Sequence, residues 1–106
     1  MTLEELKHAR AAALEAYREA GERANVAHTR KLCRMNATAS PRYGAVDRAD
    51  LEEQAVALAR EESAAAHERL LLHEQLAELG QEIRRLEAWA QLPGRLGTQV
   101  EQEPKP

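Results

Sequence analysis

The sequence predicts an all-α protein: an antiparallel hairpin of two long helices that pairs with itself as a coiled-coil or four-helix-bundle homodimer. Three observations carry that prediction. The apolar content is mostly alanine and leucine, phenylalanine is absent, and the aromatics are Tyr17, Tyr43 and Trp89. A sheet needs β-branched and aromatic residues, whereas alanine, leucine, glutamate, arginine and glutamine favour helix. Apolar residues recur at spacings of three and four over two long stretches, and Pro41 and Gly44 separate those stretches. With 106 residues there is room for one domain.

The first helix is expected over 3–37. Thr2-Leu3-Glu4-Glu5 is a capping-box pattern, with a hydroxyl for the first orphan N–H groups and a glutamate that reaches back. Leu6, Ala9, Ala13, Ala16, Tyr17, Ala20, Ala24 and Ala27 share one face, a stripe of mostly small residues. Gly21 weakens the helix by about 1 kcal/mol relative to alanine. Val26, Cys33 and Ala37 then fall on nearly the opposite face: either the helix kinks or breaks between Gly21 and Asn25, or its end packs against something different, and a helix that continues to about Ala37 is the favoured expectation.

A loop is expected over 38–46. Pro41 disfavours helix at Ser40, and Gly44 suits a turn. Asp47 is the expected cap of the second helix, over 48–92, with Asp50 favoured in its first turn by the helix dipole. Its heptad seam runs through Leu51, Ala55, Leu58, Glu62, Ala65, Arg69, Leu72, Leu76, Leu79, Ile83, Leu86 and Ala90. Val56, Ala59, Ala66, Leu70 and Ala77 widen the stripe beyond a two-stranded seam. Since the second stretch is longer, its leucine-rich end is expected to run past the first helix. Leu72, Leu76, Leu79, Ile83, Leu86 and Trp89 are therefore the expected interface with a partner protein or a second copy. Pro93-Gly94 stops the pattern, and 93–106 reads as a polar, flexible tail.

The formal net charge is −3, which names no partner. No apolar run approaches the roughly 20 residues that cross a bilayer, and the acidic, amphipathic N-terminus is unlike a secretory signal. A cytoplasmic location is the expectation. The one cysteine, Cys33, cannot form an internal disulfide and reads as a half-buried structural thiol. His67 and His73 lie six apart, about 120° around a helix, with no ligand-type neighbour three or four positions away. Glu5-Leu6-Lys7-His8 has the Glu-x-x-His spacing of di-iron bundles, but it occurs once. These patterns read as surface histidines, so no metal, cofactor or catalytic residue is expected.

Between Glu22 and Asp47 the chain carries basic residues and no acid: Arg23, Arg30, Lys31, Arg34 and Arg42. A face of this kind can contact phosphate or an acidic protein near the hairpin tip. The acidic balance of the whole chain and the lack of interleaved aromatics argue against nucleic acid.

Val46-Asp47-Arg48-Ala49, followed by Glu52-Glu53 and Arg60, resembles the start of the second coiled-coil helix in DksA/TraR-type regulators. In that family a helical hairpin enters the secondary channel of RNA polymerase and carries an Asp-x-x-Asp-x-Ala tip motif. Asp47 matches the second aspartate and Ala49 the alanine, while Gly44 stands at the first aspartate. The family's four-cysteine zinc finger is absent from this chain. The resemblance covers about 15 residues. It implies a hairpin that docks its tip into RNA polymerase, with Arg30, Lys31, Arg34, Arg42, Asp47 and Ala49 around that tip. The function expected is thus that of a non-enzymatic regulator or adaptor. The alternative is an assembly component or chaperone, such as a phage or secretion-system bundle protein.

Overall fold

A computed structural model describes residues 1–92 as two helices, α1 (Leu3–Thr38) and α2 (Ala45–Ala90), packed against each other as a hairpin. The tail expected over 93–106, and the stop at Pro93, lie outside the described residues.

α1 begins as its capping box requires. The Glu5 N–H donates to Thr2 Oγ1 at 3.1 Å, and the Thr2 N–H donates to Glu5 Oε1 at 3.1 Å. The eight residues of the predicted stripe, Leu6 to Ala27, are all buried or half-buried. α1 is a single helix, as expected, and the change of register suggested beyond Gly21 does not occur. α1 passes through Gly21 without interruption, and its inner face continues as Ala24, Ala27, Lys31, Arg34 and Thr38. Val26 and Cys33, which suggested the change, are exposed. The inner face thus keeps its heptad and accepts long polar side chains once the alanines run out.

Gly21 faces a side chain of the other helix. The Arg69 side chain from α2 crosses beside it, and a β-carbon added there would meet Arg69 Nε at 3.6 Å, an ordinary contact. Arg69 then lies over the Tyr17 ring, 4.7 Å from its centroid, a cation–π geometry.

The turn differs from expectation at its far end. α2 starts at Ala45, with Gly44 as N-cap in extended conformation and no side-chain cap bond. Asp47, the expected cap, lies inside the first turn, where its charge suits the helix dipole. Nothing in Ala45-Val46 opposes helix, so the chain turns helical as soon as it leaves Gly44. The Arg48 N–H closes that first turn on Gly44 O at 3.0 Å. Ser40 N–H donates to Ala37 O at 3.1 Å, and Arg48 Nη2 ties back to Ser40 O at 3.4 Å.

The seam read along α2 is the hairpin's inner face. Ala65 and Ile83 are buried, and eight of its other ten positions are half-buried; Arg69 and Ala90 are the exposed pair. The cross-ties give the alignment. Lys7 meets Glu87, Tyr17 meets His73, Arg23 meets Glu68, Lys31 meets Glu62 and Arg34 meets Gln54. The leucine-rich end of α2 therefore lies beside the N-terminal half of α1. It does not run past it, as its length suggested. The extra length of α2 falls largely at the tip, where its first turns pack beside the connecting loop.

Because a β-carbon at Gly21 finds ordinary contact distance and helical backbone, Gly21→Ala should stabilise the hairpin by about 0.5–1 kcal/mol. Urea or thermal melts of the two proteins check this; a destabilised alanine variant would show that Arg69 needs the glycine.

Candidate functional site

The functional surfaces follow from what the two helices cover and what they leave open. The core consists of Leu6, Ala13, Ala20, Ala27, Ala65 and Ile83. Four of these six are alanine, so the helices approach closely but remove little apolar area per contact.

The predicted interface residues lie on this inner seam. Ile83 is buried, and Leu72, Leu76, Leu79, Leu86 and Trp89 are half-buried beside the first half of α1. Most of their surface is engaged within the chain.

The predicted basic face is divided by cross-ties. Arg23 Nη2 reaches Glu68 Oε2 at 2.8 Å, and Lys31 Nζ donates to Glu62 Oε1 at 2.6 Å. His28 Nδ1 sits 2.8 Å from the other Glu62 oxygen, and Arg34 Nε donates to Gln54 Oε1 at 2.9 Å. Glu62 holds a seam position, and its side chain is 28% exposed against 21% for Lys31. The bond from Lys31 holds the Glu62 carboxyl below the usual glutamate range, helped by the nearby His28. The basic run thus helps align α1 on α2: Arg23 and Lys31 meet carboxylates and Arg34 a neutral amide, while Arg30 and Arg42 make no ion pair among the described residues.

The tip is the most open part. Arg42, Asp47, Arg48, Ala49 and Asp50 are exposed, and Val46 is 84% exposed. Asp47 and Ala49, which carry the family resemblance, stand in the first turns of α2 with Gly44 just before them. The other sequence candidates are dispersed. Glu5 serves the capping box, and that bond holds its carboxyl below the usual range. Cys33 is exposed, not half-buried as expected. Among the described residues no three histidine, cysteine or carboxylate side chains gather into a metal-binding group. No described helix is long and apolar enough to cross a membrane.

One surface was only half legible in the sequence. On α2 a second heptad row runs Val56, Ala59, Ser63, Ala66, Leu70, His73, Ala77, Gly80 and Arg84, in unbroken steps of three and four. α1 carries a matching row: Lys7, Arg10, Leu14, Tyr17, Gly21, Ala24, His28, Lys31, Met35 and Thr38. The structure brings the two rows onto one flank. Tyr17, Ala24, Ala66, Arg69, Leu70 and His73 line one groove of about 380 Å³. Lys31, Met35, Thr38, Glu52, Ala55, Val56 and Ala59 line another of about 410 Å³. The opposite flank is acidic. Its groove of about 720 Å³ is lined by Glu19, Glu22, Glu61 and Glu68 together with Arg23, Arg30, Val26 and three alanines. The flanking set noted in α2 is the signal that could have found the first flank; its partner row on α1 is masked by interspersed cations.

Comparison with protein families, with curated proteins and with solved structures gives no match to this chain. The chemistry of the surfaces is what remains to indicate function.

The lowered Glu62 carboxyl fixes a sign. Its contribution is present above the ordinary glutamate pKa and is lost as pH falls through the lowered folded value. Glu62→Gln should therefore be less stable than the parent at neutral pH and converge with it in acid. Urea melts of both proteins down that pH range measure it; parallel curves at every pH would overturn the assignment.

Proposed function

We propose that this chain is a non-enzymatic hairpin adaptor or regulator that acts by inserting its tip into a larger protein. The observation that carries the reading is the tip itself. Val46 offers the most exposed large apolar side chain among the described residues, beside exposed Asp47, Arg48, Ala49 and Asp50. Nothing among the described residues covers it, although a valine at the start of a helix could as easily have been polar. The rod behind it is stiff: α1 alone extends about 54 Å at 1.5 Å per residue, so the tip can reach into a channel or cleft.

The resemblance of 46–49 to DksA/TraR-type tips supports RNA polymerase as the partner. In this reading Asp47 supplies the acidic contact and Val46 an apolar one, while Arg42 and Arg48 flank them. Gly44 in place of the first aspartate gives the tip a single acid where that family has a pair, so its effect on the polymerase would differ from theirs.

Asp47→Ala should abolish an effect on transcription initiation while leaving the thermal melt unchanged. A pull-down with RNA polymerase followed by an in vitro initiation assay checks this. Absence of any polymerase association would sink the polymerase version. The alternative reading, an assembly component or chaperone, draws on the apolar flank left open along the rod. It predicts that deleting 93–106, and not altering the tip, removes partner binding.

A further inference from the structure

The flank formed by the two second heptad rows has no occupant among the described residues. Leu14, Met35, Val56 and Leu70 are 47%, 51%, 52% and 54% exposed there. We propose that this flank binds a second copy of the chain face to face, with both tips at the same end, to form a four-helix bundle. The dimer expected from sequence is thereby moved from the leucine-rich seam to a different face. The inference does not depend on the role proposed for the tip.

The first argument is area. The hairpin core is six residues, four of them alanine, which is little for a stable domain of this size. The flank is about 54 Å long and two helix diameters wide, hence about 1,000 Å². A standard specific interface buries about 800 Å² on each partner. A second copy therefore supplies the core that the hairpin lacks, and the flank is large enough to hold it.

The second argument is which side chains meet, and it selects the orientation. The α1 row carries Lys7, Arg10 and Lys31 and no carboxylate, and the α2 row carries Arg84 between Glu52 and Glu87. Lys7 and Lys31 are already tied to Glu87 and Glu62 of their own chain, so charge does not decide. A two-fold axis across the rod stacks α1 end for end on its own copy, which sets Arg10 against Lys31 and Met35 near Lys7. A two-fold axis along the rod stacks α1 on the copy's α2. Met35 then lies opposite the second copy's Val56 and Leu14 opposite its Ala77, with Lys7 near its Glu87 and Arg10 near its Arg84. The apolar residues of the flank meet cations in the first arrangement and one another in the second.

Sedimentation of the full chain over a wide concentration range tests the dimer. The parent should sediment as a dimer. Val56→Glu/Leu70→Glu should sediment as a monomer with its helical circular dichroism retained, because both positions are exposed in the hairpin. Leu71→Glu, equally exposed but off this flank, should leave the dimer intact. Orientation is read from spin labels on Ala45→Cys in a Cys33→Ala background. Tips at one end give about 20 Å, and opposed tips give about 50 Å or more. If the double variant loses its helicity as well, the label distance decides, and absence of any dipolar coupling overturns the proposal. A monomeric parent overturns it and leaves the flank to a different protein. A dimer that survives Val56→Glu/Leu70→Glu, or that Leu71→Glu disrupts, also overturns it. A label distance of about 50 Å rejects the same-end arrangement.

Discussion

The close approach of the alanine stripe of α1 to the seam of α2 is the constraint on which the rest of this structure depends. Ala13, Ala20 and Ala27 on α1 and Ala65 on α2 are buried because they are small enough to let two backbones draw together. Alanine loses no side-chain rotamer entropy on burial, but it also removes little apolar surface from water. The hairpin is therefore well defined along its length and thinly stabilised across it. Among the fully buried residues the larger side chains, Leu6 and Ile83, lie near its open end, where the helices must be held without a connecting loop.

A stripe of small alanines gives weak information about register, since it can meet the partner helix at several offsets. The polar cross-ties provide what the seam does not. Arg23 on Glu68, Lys31 on Glu62 and Arg34 on Gln54 act at successive levels, and Arg69 over Tyr17 adds a fourth point. Each exposed pair contributes little alone. Together they penalise any slip of one helix past the other, because a slip breaks all of them at once. This accounts for a basic run in a protein that is acidic overall. Arg23 and Lys31 of α1 are placed against acids of α2, and the Lys31 bond lowers the Glu62 carboxyl.

A thin core also explains why apolar side chains remain outside. α2 carries two heptad rows, and one partner helix can cover only one of them. A helix with two apolar rows is suited to lie between two neighbours, which is the geometry of a bundle. The exposed apolar residues are of two kinds. Leu14, Met35, Val56 and Leu70 share a flank and suit helix packing. Val46 stands by itself at the tip, where contact with a recess in another protein fits it better.

Much of this was legible in the residues. The capping box at Thr2 follows from its local motif, and the helical class, the inner stripe of α1 and the inner seam of α2 apart from Arg69 and Ala90 follow from periodicity, because a helix repeats every 3.6 residues whatever it packs on. The periodicity did not reveal which row of α2 faces which helix, or how the two are aligned. Length alone suggested that Leu72 to Leu86 would overhang, and the cross-tie from Lys7 to Glu87 places that stretch beside α1. Gly21 suggested a break and Asp47 a cap, since local propensity weighs each residue without its distant neighbours. Arg69 crossing at Gly21, and a helix that begins as soon as Gly44 permits, are decided by what lies across the hairpin and around the turn. The sequence by itself determined the helices and their apolar rows, because these depend on near neighbours. Only the tertiary structure decided which row is inside and which is left open, because that depends on contacts between residues far apart in the chain.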